Sequence, residues 1–224
     1  GNIWIFSIIP NSKGIQSETT MDIVALKDTY VSNGTISSNY GGDHILNVGD
    51  GPFGDATEAY YYFDFSNIEE EITKAEISLR LLERPGLAPQ INFTVCLIEE
   101  NWSEYTLNWI NKPNKSQVIG YILFNSSGTY EINVSSFISG RSNISICVFL
   151  EKFVDYEGVF IYARENFLLY DGSYDFNPFL KLSYMETVET PGNELNIPSY
   201  NFLIVIVLIS ILTVMISKKV VKKL

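Results

Sequence analysis

The chain has 224 residues, is 46% hydrophobic and 14% aromatic, and so can bury one domain core; disorder over most of its length is excluded. Its formal net charge is −11, and four of its 15 Lys and Arg fall at Lys218, Lys219, Lys222 and Lys223, so the rest is more acidic still. That balance excludes nucleic acid as a partner, because nucleic-acid binding needs a basic footprint.

The opening stretch, GNIWIFSIIPNSKGIQS, is apolar up to Pro10 and polar after it. Two readings of residues 1–18 stay open: the back half of a secretory signal, removed on maturation, or an apolar N-terminal strand. From 19 to 186 no sustained 3.6-residue period is found, and period-two alternation takes its place. GDGPFGD offers Asp50 and Asp55 as calcium ligands, although Asp-Gly is also ordinary turn chemistry. The lone His44, in GGDHI, reads as a loop residue, since one histidine cannot build a histidine metal site. In AYYYFDF, Tyr61, Phe63 and Phe65 share the apolar face, which leaves Tyr60, Tyr62 and Asp64 as an exposed row on which a sugar ring could stack.

EISLRLLE points Ile77, Leu79 and Leu81 one way; INFTVCLI does so with Phe93, Val95 and Leu97; NISICVFL with Ile144, Ile146 and Val148; FLKLSY with Leu180, Leu182 and Tyr184. Turn residues separate these runs at SNG, RPG, NSSG, SGRSN and YDGSYDFNP. Short alternating strands with polar turns predict an all-β, antiparallel two-sheet sandwich. Cys96 and Cys147 fall on the polar parity of their strands, where a disulfide and two partly buried thiols are both open. The turn at 170–178 supplies a second aromatic group, Tyr170 and Tyr174, and a second acidic pair, Asp171 and Asp175.

ETPGNELNIPS lies in a polar stalk at 187–199, followed by an uncharged apolar run at 200–218 and a basic tail at 219–224. That run predicts a single C-terminal transmembrane helix, apolar on every face and about as long as a bilayer core is thick. The lysines behind it place the C-terminus in the cytoplasm and the β-domain outside, as a single-pass protein of the cell membrane. Asn-x-Ser/Thr sites at Asn33, Asn92, Asn101, Asn114, Asn125, Asn133 and Asn143 suit an exterior location and N-glycosylation. Asn and Ser also gather in turns for their own reasons.

No nucleophile elbow, phosphate-cradling glycine loop or paired Cys–base arrangement occurs in the chain. The carboxylates Glu99, Glu100, Glu104, Asp155, Glu157 and Glu165 could pair as in a glycosidase or lyase. Arg164–Glu165 reads more simply as a structural ion pair.

NWSEYTLNWINKP, at 101–113, resembles the W-S-E-x-T-x-x-W-x-x-x-P signature of the DNRLRE domain family, which overlaps with carbohydrate-binding modules and disaggregatase-related domains. DTYV from Asp28, SNYG from Ser38, LNVGD from Leu46, AYYYFDFSNI from Ala59, ITKAEISLRL from Ile72, YEINVSSFI from Tyr130, YARE from Tyr162 and NPFLKLSY from Asn177 are similar to further pieces of that family, in the same order. The resemblance implies a jelly-roll-like β-sandwich on a secreted or surface protein of archaea or bacteria. It also implies a partner that is an extracellular polysaccharide or glycoprotein. Two departures stand out: the family often carries Arg where Glu58 stands and Lys where Tyr62 stands. The function expected is non-catalytic glycan binding, with Tyr60, Tyr62, Asp64, Tyr170, Tyr174 and Trp102 as ligand-binding candidates. A structural or adhesive domain contacting protein partners is the alternative, and a polysaccharide-cleaving enzyme the third. No cofactor is required beyond a structural calcium at the acidic turns. Trp109 is expected as a core plug at a strand.

Overall fold

The computed structural model describes residues 15–50, 55–83, 91–151, 158–165 and 177–188. The chain divides into a compact unit, Glu18–Glu186, and a second unit made of Gly1–Ser17 and Thr187–Leu224. The apolar run at 200–218, the basic tail at 219–224, most of the stalk and residues 1–14 lie outside the described residues, while residues 15–18 of the N-terminal segment begin a strand. Among the described residues no helix is long and apolar enough to cross a membrane.

The strands are β1 (Ile15–Val24), β2 (Lys27–Ser32), β3 (Ile45–Asp50), β4 (Ala56–Asp64), β5 (Ile72–Glu83), β6 (Ile91–Ile98), β7 (Lys115–Phe124), β8 (Gly128–Asn133), β9 (Asn143–Phe149), β10 (Gly158–Tyr162) and β11 (Phe179–Val188). A single turn of helix, α1 (Ser135–Ile138), joins β8 to β9. The alternating runs expected as strands form β5, β6, β9 and β11, because each has one apolar edge to bury.

The fold is all-β, as expected, but its ladders are continuous where two separate sheets were predicted. One eleven-stranded sheet runs β1-β11-β5-β10-β3-β4-β9-β6-β7, with β2 added to β4 and β8 to β5. It curls so that β2, β4, β9, β6 and β7 form one layer and β1, β11, β5 and β8 the other. Strands β3 and β10 carry the ladder round the corner. Gly49 of β3 lies between two strands, paired with Gly158 of β10 on one side and Thr57 of β4 on the other. Its φ of 111° lies where L side chains are strained. A Cβ on Gly158 would in turn stand only 3.1 Å from the Asp50 carbonyl.

Between the layers lies one core. Ala59, Tyr61 and Phe63 of β4 meet Ile77, Leu79 and Leu81 of β5, with Val95, Ile146, Leu180 and Leu182 among those closing it. Each large side chain buried there is worth roughly 1.5–3 kcal/mol over exposure. Apart from Ala59, these are residues that alternation assigned to the core.

Candidate functional site

The outward parity of β4, β6 and β9 was expected to face solvent. Instead Tyr60, Cys147, Val31, Ile98, Trp102 and Leu107 form a second buried cluster on the far side of the sheet from the main core. Residues 99–114, which contain the two-tryptophan stretch, are the cover. Their path is set by local bonds: Thr106 N–H and Leu107 N–H both donate to the Ser103 carbonyl, closing one turn. Asn108 Oδ1 accepts from Ile110 N–H and Asn111 N–H, closing the next as asparagine does in turns. Trp102 sits edge-on to Tyr60 with ring centroids 6.0 Å apart. Its indole N–H donates to Ser145 Oγ at 2.8 Å, and Ser145 Oγ donates to the Tyr61 carbonyl at 3.1 Å.

The sequence-based platform is therefore corrected. Tyr60 is fully buried and its hydroxyl donates to Glu58 Oε2 at 2.8 Å, so it offers no face to a ligand. Burial, with Cys147 and Glu58 beside it, pushes its phenol far above the usual range. Trp102 is only 8% exposed and belongs to the packing. Asp64 accepts from Ser66 N–H in a turn, and that bond holds its carboxyl low. Tyr62 is half-buried, and Lys27, its register partner on β2, lies over its ring at 4.5 Å. Trp109 is not a strand-borne core plug; it is half-buried in a turn. Tyr170, Tyr174, Asp171 and Asp175 lie outside the described residues.

What alternation missed is a group of lysines drawn to this face. Glu58 is 7% exposed, and its Oε1 accepts from Lys112 at 2.8 Å and from Lys115 at 2.7 Å. Lys112 also stands over the Trp109 ring at 3.1 Å from its centroid, and Lys115 over Phe149 at 3.9 Å. Burial would raise the Glu58 carboxyl, but the two ammonium donors outweigh it and hold the group below its usual range. Lys112 is lowered as well, since burial of its ammonium exceeds what a carboxylate shared with Lys115 returns. Beside this group a row of register partners, Tyr121, Thr94 and Phe149, crosses β7, β6 and β9. Tyr121 is 61% exposed, and Val118 and Leu123 of the same strand are exposed too.

Lysines thus lie against both positions where the sequence departs from the family that it resembles. Lys112 and Lys115 reach Glu58, and Lys27 reaches Tyr62. The strip carries Lys27, Lys112 and Lys115 against Glu58, an excess of positive charge on a chain of net charge −11. The lysines come from positions 54 and 57 residues beyond Glu58, so no local pattern announces them.

Cys96 and Cys147 are direct register partners on β6 and β9, and both are free, buried thiols. Burial raises both, Cys147 well above its usual value with the Glu58 charge adding to the effect. Asp50 is buried, while Asp55 is half-buried with its carboxyl beside Gly34. Neither belongs to a group of three potential metal ligands among the described residues. All seven sequon asparagines, including Asn101, are exposed.

A second polar group joins distant segments at the rim of the main core. Asp28, Glu104 and Glu165 bring one carboxylate oxygen each within 4.8 Å of one another. Arg164 binds Glu104 through Nε at 3.0 Å and Nη2 at 2.8 Å, and Glu165 Oε1 through Nη2 at 2.7 Å. The expected Arg164–Glu165 pair is therefore present within a larger group. Asp28 Oδ2 accepts from Arg164 N–H at 2.7 Å, and Glu104 Oε1 from Asp28 N–H at 2.9 Å. Burial first, then the Glu165 charge, pushes the Asp28 carboxyl well above the usual range.

Of the carboxylates considered for paired acid–base chemistry, Glu104 and Glu165 meet in this group around Arg164, and Glu99 and Glu100 lie elsewhere. Glu99 pairs with Arg141 at 2.7 Å, and Glu100 accepts from Asn114 at 2.8 Å. Asp155 and Glu157 lie outside the described residues. Residues 19–166 match the family model described as carbohydrate-binding module family 96. No curated protein matches the chain.

Proposed function

The chain belongs to carbohydrate-binding module family 96, and from that premise we propose that it is a non-catalytic surface module that binds glycan across the lysine–aromatic strip. The observation that carries this reading is the set of ammonium groups lying on aromatic faces, with the exposed Tyr121 ring alongside. Aromatic faces stack on the C–H faces of sugar rings, and the ammonium groups supply directed donors. The excess of lysine over carboxylate favours sugars that bear an acidic group. Calorimetry of the full chain in detergent against acidic and neutral polysaccharides tests this. Binding that Tyr121→Ala and Lys115→Ala both weaken is expected. Heat-silent titrations with every polysaccharide would overturn it.

The finer reading, a DNRLRE-like module of jelly-roll type, is supported by the motif string from Asp28 to Tyr184. The apolar run at 200–218, with lysines behind it, supports a single-pass anchor at the cell membrane. Resistance of the chain to alkaline extraction from membranes checks that, and release into the supernatant would refute it. Exposure of every sequon asparagine supports N-glycosylation, and an intact native mass equal to the bare sequence would rule it out.

An adhesive role has its own observation. Strand β7 ends the ladder and presents Val118, Tyr121 and Leu123, an apolar edge of the kind that pairs with another chain. Self-association abolished by Tyr121→Lys, with polysaccharide titrations silent, would favour it over glycan binding.

A further inference from the structure

We propose that Asp28, Glu104 and Glu165 hold a calcium ion that ties β2, the cover at 99–114 and the segment after β10 into one node. This site differs from the acidic turns at 50–55 and 171–175 and is independent of glycan binding. The ligand set is carboxylate oxygen throughout, the chemistry of a hard divalent cation. Calcium–oxygen distances of 2.3–2.6 Å put opposite ligands roughly 4.6–5.2 Å apart, and these oxygens all lie within 4.8 Å of one another.

Charge points the same way. Three carboxyl groups face one guanidinium, so with all three ionised the group carries 1 − 3 = −2, which one divalent cation neutralises. The second observation is a pair of oxygens without donors. Asp28 is 1% exposed; its Oδ2 is taken by Arg164 N–H, yet its Oδ1 is buried with no partner. Glu165 Oε2 is likewise buried and unpartnered, and its carboxyl lies against that of Asp28, so that either one shared proton or one cation can fill the space between them. A buried carboxylate oxygen without a donor is costly, and a bound cation removes that cost. The nearest lysine in sequence, Lys27, does not help, because its ammonium goes to the Trp102 carbonyl and the Tyr62 ring.

Terbium luminescence is a direct probe, because the Tyr105 hydroxyl lies 3.5 Å from Arg164 Nη2 and places a sensitising ring at the site. The full chain in detergent is stripped with a chelator, loaded with terbium and titrated with calcium, and its thermal unfolding is followed with and without calcium. Saturable luminescence displaced by calcium is expected, together with a higher Tm in calcium. Asp28→Asn and Glu165→Gln should each weaken calcium binding at least about tenfold, since ligand charge sets affinity. In chelator their Tm should equal or exceed that of the parent chain, because each relieves carboxylate repulsion. Should Asp28→Asn fail to fold, Glu165→Gln decides alone, its side chain being 21% exposed. No displacement and no Tm change up to about 1 mM calcium, or a response unaltered in Glu165→Gln, would overturn the proposal. The first result would leave a shared proton, not a cation, as what neutralises the node; the second would place the ion elsewhere.

Discussion

Replacing Trp102 with Ala tests whether the cover at 99–114 is packed against the sheet or merely lies near it. The side chain is 8% exposed, meets Tyr60 edge-on and donates to Ser145. Large aromatic-to-Ala changes in buried sites cost roughly 3–5 kcal/mol. The lower end applies here, about 3 kcal/mol, because the cover lies at the surface and can settle into the space left behind. Trp102→Phe separates the terms. It keeps most of the ring against Tyr60 and removes the indole N–H. Ser145 Oγ still donates to the Tyr61 carbonyl at 3.1 Å, so nothing buried is orphaned and the bond itself is worth about 1 kcal/mol. Urea unfolding followed by far-UV circular dichroism gives both values, and a double-mutant cycle with Ser145→Ala should return a coupling of about 1 kcal/mol. A loss below about 0.5 kcal/mol for Trp102→Ala, the size of an ordinary surface change, would refute the second core.

Two further outcomes follow from the same face. Glu58 titrates lower in the folded chain than in the unfolded one. The unfolded state therefore binds the extra proton as acid is added, and the stability Glu58 contributes is complete above the ordinary glutamate range near 4.3. It is lost as pH falls through the folded value. Glu58→Gln should flatten that acid limb. At neutral pH it should also cost about 1–3 kcal/mol, less than a fully buried pair would, because both lysines are about a quarter exposed. An unchanged acid limb in chemical unfolding at several pH values would refute the assignment. The native chain should also be almost inert to a thiol reagent and yield both thiols once unfolded without reductant, because Cys96 and Cys147 are free and buried. An unreactive unfolded chain would mean that the register pair is bridged.

Much of the fold was legible because its core obeys a local rule. Ile77, Leu79 and Leu81, or Ile144, Ile146 and Val148, alternate with polar neighbours and go where alternation sends them. The same rule misassigned Tyr60, Thr94 and Cys147, which occupy the polar parity and are buried all the same. Alternation reports that two faces differ; it carries no information on whether a loop later covers the second. That cover is built from turn-forming asparagines and Ser103, with Trp102 and Leu107 as the apolar side chains that reach inward. The candidate sites were hidden for a related reason. Glu58 finds Lys112 and Lys115, and Asp28 finds Glu104 and Arg164, across separations that only the completed ladder closes. The continuous sheet was likewise unreadable, since β3 finds β10 only through partners as distant in sequence as Ile45 and Tyr162.

The strand order has a consequence for when the domain can form. β1 has β11 as its neighbour in the ladder, and Thr19 bonds Glu186 at 3.2 Å across 167 residues. Asp28 waits for Arg164 across 136. A chain emerging from the ribosome can pair β2 with β4 early, but its first strand has no partner in place until the last has been made. Such non-local closure belongs to the slow end of folding, on the order of milliseconds to seconds. Until then the exposed edges of β1 and β5 are open to the wrong partner. Crowded nascent chains of this protein therefore face their greatest risk of mispairing just before synthesis of the domain is complete.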